Sequence, residues 1–147
     1  MVETAIVAGV GPAQGLGAVL ARRIAKDGLH VVVAGRTMEK LDAVAASIRA
    51  EGGAATPVVC DVTDEQQVIS LWNAAEAIGP VSLAIYNAGN NMPGKVSGMT
   101  SWQSWPLRLF PNLLIDDLLE RDNLVLVDMQ LLLLGIVDDT DCAGWVK

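Results

Sequence analysis

The chain has few of the side chains that build metal and disulfide sites. It contains two cysteines, Cys60 and Cys142, and a single histidine, His30, among its 147 residues. No CxxC pair is present, so the spacing of a structural zinc site is missing, and we expect no metal. Both cysteines are interpreted as unpaired thiols, buried or half-buried, in a reducing compartment.

Basic charge and long apolar runs are also scarce. Ten lysines and arginines stand against seventeen acidic residues, giving a net charge of −7 and a pI near 4.5. That balance argues against a nucleic-acid or anionic-membrane partner. The longest apolar stretch near the C-terminus, MQLLLLGIV, is too short for a membrane span, and the N-terminus MVETAIVAGVG lacks the features of a signal peptide. We therefore expect a cytoplasmic protein with no membrane partner.

What the chain does have is a regular alternation of apolar runs and helical patterns. Strands are predicted at 4–10, 30–34, 57–62 and 81–86, because each is a short, continuously apolar run. Between them, apolar residues recur at helical spacing over 16–26 and from Met38 to Ile48. Thr63 followed by Gln66 predicts a capping box that opens a third helix, running to about residue 78.

This β-α-β-α-β-α-β order predicts an α/β fold with a Rossmann-type, doubly wound parallel sheet. The expected strand order is 3-2-1-4, which is half of a complete Rossmann sheet. An incomplete sheet would leave the fourth strand without a neighbour on one side. An exposed edge of that kind favours association, and either the apolar C-terminal segment or a second subunit would cover it. We expect an oligomer or a poorly soluble chain, as a homo-oligomer or paired with a full-length relative.

The character of the sequence changes near residue 97. Residues 97–147 contain three basic and eight acidic residues and have a net charge of −5, whereas the first 96 residues have a net charge of −2. The periodicity of the first part is lost. We therefore divide the chain into a Rossmann unit at 1–96 and an atypical apolar and acidic C-terminal segment at 97–147, with no assigned architecture.

A glycine-rich loop follows the first predicted strand and precedes the first predicted helix. Gly11, Gly15 and Gly17 have the spacing G-x-x-x-G-x-G. Gly11 would allow a tight turn, Gly15 a close approach to a diphosphate, and Gly17 close packing of helix on strand. Free N–H groups at the helix start would then face the phosphates. The alternative is a flexible loop without a ligand.

At this point the chain resembles the short-chain dehydrogenase/reductase family over about residues 4–92. Besides the glycine spacing, the predicted strands end in AGR, CDVTD and YNAGN, in that order. The resemblance implies a dinucleotide cofactor and an oxidoreductase acting on an alcohol or carbonyl compound. The cofactor-binding residues that it implies are Gly11, Gln14, Gly15, Leu16, Gly17, Arg36, Asp61, Val62, Asn87, Ala88 and Gly89.

Arg36 bears on which dinucleotide is preferred. An acidic residue at the end of the second strand would bind the ribose 2′-hydroxyl of NAD, and Gly35 stands there instead. Arg36 offers a planar cation to a 2′-phosphate, so NADP(H) is expected over NAD(H). The alternatives are that Arg36 is a solvated loop charge and that Asp61 helps to cap the next helix. Arg22 and Arg23 are interpreted as surface charges.

The family's catalytic residues are missing from the sequence. The family uses a tyrosine, a lysine four residues later and a serine. Here the single tyrosine, Tyr86, is followed at that distance by Asn90. We predict no catalytic residue, and three explanations stay open. We favour a truncated or frame-altered chain over a non-catalytic, regulatory NADP(H)-binding protein or an enzyme that uses unfamiliar residues.

Overall fold

A computed structural model describes residues 2–88 together with the backbone of residues 125–128. Five strands form one sheet of order β3-β2-β1-β4-β5, and every neighbouring pair is parallel. The strands are β1 (Thr4–Ala8), β2 (His30–Gly35), β3 (Ala54–Val59), β4 (Val81–Tyr86) and β5 (Val125–Asp128). The predicted doubly wound, Rossmann-type sheet is thereby confirmed, including the 3-2-1-4 order of its first four strands.

Three helices connect the first four strands: α1 (Leu16–Lys26), α2 (Met38–Ala50) and α3 (Glu65–Glu76). None of the helices in the described part of the chain is long and apolar enough to cross a membrane. Helices α1 and α2 pack on one face of the sheet, and α3 packs on the other. Because successive side chains of a strand point to opposite faces, Ala5 and Val7 join the first layer while Ile6 and Ala8 join the second.

Three strands differ from their predicted limits, and the smallest difference is in β2, which ends at Gly35, one residue later than predicted. Strand β1 ends at Ala8 and not at Val10, because Gly9 turns away with φ +88° while the N–H groups of Gly9 and Val10 both donate to Ala34 O. Strand β3 begins at Ala54 and ends at Val59, three residues earlier than predicted at each end. Pro57 lies inside it, which is tolerated because β3 is the edge strand of the described sheet and pairs there with β2 alone.

The fourth strand is not left without a neighbour, because the C-terminal segment covers its edge, which is one of the two alternatives left open by the sequence. Strand β5 pairs with β4 in parallel, from Leu83 opposite Val125 to Tyr86 opposite Asp128. The apolar run LVLV at 124–127 therefore supplies a neighbour from the segment that sequence analysis left unassigned. The prediction of an oligomer was based on an exposed β4 edge, and the pairing with β5 removes that reason for it.

Candidate functional site

The predicted site residues of the described chain converge on the carboxyl edge of the sheet. The loop after β1, Arg36 after β2, Asp61 after β3 and Asn87 after β4 all leave the strands on that side. In open parallel sheets, ligands bind at this edge, where the loops of neighbouring strands diverge. Gly89 and Cys142 lie outside the described residues, as does nearly all of the 97–147 segment.

The turn out of β1 is packed directly against the end of β4. Asn87 N donates to Ala8 O at 2.9 Å, and Asn87 Nδ2 donates to Gly9 O at 3.3 Å. A β-carbon on Gly9 would collide with the backbone of Asn87 and Ala88, lying only 2.6 Å from Ala88 Cα. Both the positive φ and this contact therefore require glycine at position 9.

Helix α1 is held close to the same junction. A β-carbon on Gly17 would lie 3.0 Å from Gly9 O and 3.1 Å from Asn87 Nδ2. Gly17 is buried, and the lack of a side chain lets the first turn of α1 approach the ends of β1 and β4. This geometry agrees with the packing role that the sequence predicted for Gly17.

Gly11 does not make the turn that the sequence assigned to it. No atom lies within 4 Å of a β-carbon built on Gly11, and the glycines with positive φ in the described chain are Gly9, Gly28 and Gly52. The turn glycine is Gly9. Five residues, and not three, therefore separate it from Gly15. The signal that could have identified it is that the apolar run is first broken at Gly9.

The N-terminus of α1 presents free donors to this edge. Its N-cap is Gly15, which has no side chain to accept a hydrogen bond from the first turn. The N–H groups of Leu16, Gly17 and Ala18 precede the first intrahelical bond, in which Val19 N donates to Gly15 O at 3.1 Å. No acidic residue lies in that turn. Uncapped donors together with the helix dipole favour an anion here.

At the end of β2, Gly35 is buried whereas the neighbouring Arg36 is exposed to solvent. Gly35 is buried, and a β-carbon there would collide with Val10 O while lying 3.3 Å from Leu41 Cδ2. Arg36 is exposed, and no hydrogen bond or ion pair engages it among the described residues. Its guanidinium is near enough to Asp61 to contribute to lowering the pKa of that carboxyl. The cation is thus available at the same edge as the α1 N-terminus.

Asp61 organises the turn after β3. Its Oδ1 accepts from Thr63 N at 3.0 Å and from Thr63 Oγ1 at 2.7 Å. These two bonds lower the pKa of Asp61 more than Arg36 does. No partner engages its second oxygen, Oδ2, within residues 2–88. The carboxylate is therefore fixed in the turn while one oxygen stays available, and Val62 beside it is half-buried.

The cap of α3 is Asp64, so the predicted capping box at Thr63 is wrong. Asp64 Oδ1 accepts from Gln66 N at 3.0 Å and from Gln67 N at 3.3 Å, and Gln67 Nε2 donates to Asp64 Oδ2 at 2.9 Å. These bonds lower the pKa of Asp64. Thr63 is already committed to Asp61, and therefore the cap moves one residue along the chain. The carboxylate of Asp61 caps no described N–H group of α3, but the backbone N–H of Asp61 donates to Gln67 Oε1 at 2.9 Å.

Cys60 is buried directly behind the site. Its side chain is 1% exposed, and its N–H donates to Gly35 O at 2.9 Å. Burial, together with the nearby carboxylates of Asp61 and Asp64, raises the pKa of this thiol to about 11. It therefore stays protonated at neutral pH, which confirms the buried, unpaired thiol predicted for this position.

Of the residues predicted from the sequence, Gln14, Leu16 and Arg36 are exposed at the site, while Gly17 is buried. The half-buried ones are Gly11, Gly15, Asp61, Val62, Asn87 and Ala88. The sequence reading missed Gly9 and the loop contact of Arg22, whose Nη2 donates to Ala13 O at 2.7 Å. The helical pattern marked Arg22 as a surface position and gave no signal for that contact.

Comparison with known proteins identifies the family to which the chain belongs. The sequence model of the short chain dehydrogenases matches residues 3–107, which extends past position 96. Gluconate 5-dehydrogenase from Gluconobacter oxydans (strain 621H) is 41% identical over 80 residues, which cover 54% of this chain and 31% of that enzyme. The chain thus spans about a third of that relative's length.

Two solved structures share the fold. An actinorhodin polyketide ketoreductase variant with NADPH superposes with a TM-score of 0.70 at 27% identity, covering 86% of this chain and 52% of that one. A 3-oxoacyl (acyl-carrier-protein) reductase from Agrobacterium tumefaciens C58 with NADP bound gives 0.67 at 25% identity, covering 86% and 51%. The chain belongs to the short-chain dehydrogenases, an oxidoreductase family that binds a nicotinamide dinucleotide.

Proposed function

We propose that this chain binds NADP(H), in preference to NAD(H), at the carboxyl edge of its sheet. The observation that carries the proposal is the pairing of two features on that edge. One is the N-terminus of α1, where no side chain caps the first turn, and the other is the guanidinium of Arg36, which no residue of the described ranges engages. The first suits a diphosphate, and the second suits the 2′-phosphate that distinguishes NADP from NAD.

The local geometry fits such a cofactor. Gly15 and Gly17 add no side chain at the start of α1, and Gly9 lets the loop turn away from β1, so a diphosphate can approach the N–H groups of the first turn. The remaining oxygen of Asp61 is positioned to accept a hydrogen bond from a bound adenine. No carboxylate stands at position 35 to repel a 2′-phosphate. The NADPH and NADP present in the two structural relatives are consistent with this preference.

We further propose that these 147 residues are catalytically incomplete. Tyr86, the single tyrosine, lies on β4 with 4% of its surface exposed, and Asn90 stands four residues later. A tyrosine buried on β4 is poorly placed to contact a substrate, and the sequence contains no tyrosine followed four residues later by lysine. This observation favours cofactor binding without turnover, either in a truncated chain or in a regulatory partner of a full-length relative. Carbonyl reduction supported by NADPH in the purified chain would contradict it.

Cofactor preference is tested by titrating the purified chain with NADPH and with NADH, following nicotinamide fluorescence. Arg36→Ala should weaken NADPH binding about ten- to hundredfold, the range expected for losing a hydrogen-bonded charge. NADH binding should hardly change. Arg23→Ala is the matched control, because Arg23 is exposed and pairs with Asp27 at 3.3 Å. Equal NADPH affinity in the Arg36 variant and the wild type would refute the preference.

A further inference from the structure

Arg22 connects helix α1 to the loop that precedes the helix. Its Nη2 donates a hydrogen bond to the backbone oxygen of Ala13, nine residues earlier, at 2.7 Å. The Arg22 side chain is half-buried, whereas that of Arg23 is 77% exposed and pairs with Asp27. Two adjacent arginines of equal charge therefore have different surroundings, and only Arg22 reaches the loop.

The loop has few other attachments. Its start is fixed by Gly9 N and Val10 N, both of which donate to Ala34 O at 2.9 Å. Its end closes on itself as a turn, in which Gly15 N donates to Pro12 O at 2.8 Å. Within the described ranges, the bond from Arg22 is the only hydrogen bond that joins residues 11–14 to an element outside the loop. The middle of the loop is thus held by this one hydrogen bond and by the packing of half-buried Ala13 against the core layer beneath α1 and α2.

We propose that Arg22 is a positioning residue of the cofactor site, an inference that rests on the proposed function. Residues 11–14 lie immediately before the uncapped N-terminus of α1, where the diphosphate would bind. The hydrogen bond from Arg22 to Ala13 O fixes the turn beside those N–H donors. It also places the positive charge of Arg22 on a carbonyl oxygen that carries partial negative charge. The diphosphate then meets a preorganised loop, and less order has to be gained on binding.

This role differs measurably from that of Arg36. The diphosphate is common to NADPH and NADH, so loss of the Arg22 bond should weaken both cofactors by the same factor. The ratio of the two affinities should stay unchanged. Loss of Arg36 should change that ratio, because the 2′-phosphate is present only in NADPH. The comparison thus separates positioning of the loop from direct contact with the 2′-phosphate.

The test is a set of fluorescence titrations with both cofactors on Arg22→Met, Arg22→Lys and Arg23→Met. Arg22→Met keeps most of the apolar stem but removes the donor, and it should weaken both cofactors about tenfold. Arg22→Lys retains a donor and should recover part of that loss, and Arg23→Met should bind both cofactors as the wild type does. Unchanged binding in Arg22→Met, or a loss confined to NADPH, would overturn the proposal.

A second measurement needs no cofactor. Hydrogen exchange of the loop and first-turn amides, residues 13–18, should be faster in Arg22→Met than in Arg23→Met, with equal exchange in β1 and β2. Equal exchange at 13–18 would show that Arg22 does not hold the loop, and the proposal would fail. If the wild type binds neither cofactor, the proposed function fails, and this exchange result still decides whether Arg22 orders the loop.

Discussion

The backbone oxygen of Val10 occupies the space that a β-carbon on Gly35 would need. The loop after β1 therefore lies directly against the end of β2, and the position where an acidic residue would select NAD is closed to any side chain. The proposed preference for NADP would therefore depend on how these two strand ends pack, as well as on the charge of Arg36.

This contact predicts that Gly35→Asp will not convert the chain to NAD binding. The new side chain must displace Val10 and the loop, so we expect the free energy of unfolding to fall by about 1–3 kcal/mol. NADH affinity should not rise. Chemical denaturation and an NADH titration of the same sample measure both effects. Stable protein with improved NADH binding would show that the loop moves freely.

Two glycines of one loop should differ in how much stability is lost when each is replaced by alanine. Gly9→Ala meets the Asn87–Ala88 backbone and a positive φ, and should lower the free energy of unfolding by at least about 2 kcal/mol. Gly11→Ala adds a methyl group to open space and should change it by less than about 0.5 kcal/mol. Thermal or urea unfolding compares them. The reverse ranking would restore Gly11 as the turn residue.

The cap of α3 gives a third prediction. Asp64→Ala removes the acceptor for Gln66 N and Gln67 N and should cost about 1 kcal/mol of stability. Thr63→Ala is the control, because Thr63 supports Asp61 and caps no helix N–H group. In urea unfolding, Thr63→Ala should lower the free energy of unfolding clearly less than Asp64→Ala does. A larger loss from Thr63→Ala would favour the capping box predicted from the sequence.

His30 should make the fold sensitive to mild acid. Its Nε2 lies 2.8 Å from Thr56 Oγ1, and burial, helped by the charge of Arg49, lowers the pKa of His30 below its usual 6.5. The folded state thus favours the neutral ring. Stability is fully present above pH 6.5 and declines as the pH falls from there toward the lowered folded value. Urea midpoints for wild type and His30→Gln should converge at acidic pH, and parallel curves would contradict this.

The sequence predicted α1 and β4 with the limits that the structure shows, because glycines and a proline bound both elements and their apolar patterns are unbroken. It misplaced β3, because Pro57 looks like a strand start unless the strand is known to be at the edge. It also misassigned the cap of α3, because Thr63 and Asp64 are both suitable residues and the choice depends on Asp61.

The site was predicted less completely than the fold. Motif spacing placed Arg36, Asp61 and Asn87 at one edge, and the strand ends explain why they converge there. Spacing alone could not choose between Gly9 and Gly11, since the choice depends on the contact with Asn87 from a strand far away in sequence. The partner of β4 was missed for a similar reason, because β5 comes from a segment without clear periodicity.

The central claim is that a dinucleotide binds at the carboxyl edge through the α1 N-terminus and Arg36. The most direct measurement is a ¹H–¹⁵N correlation NMR titration of the purified chain with NADPH. The account predicts that the amide signals of Gly15, Leu16, Gly17 and Arg36 shift together, with one dissociation constant in the micromolar range. Unshifted signals at millimolar NADPH, or shifts confined to the amino edge of the sheet, would contradict it.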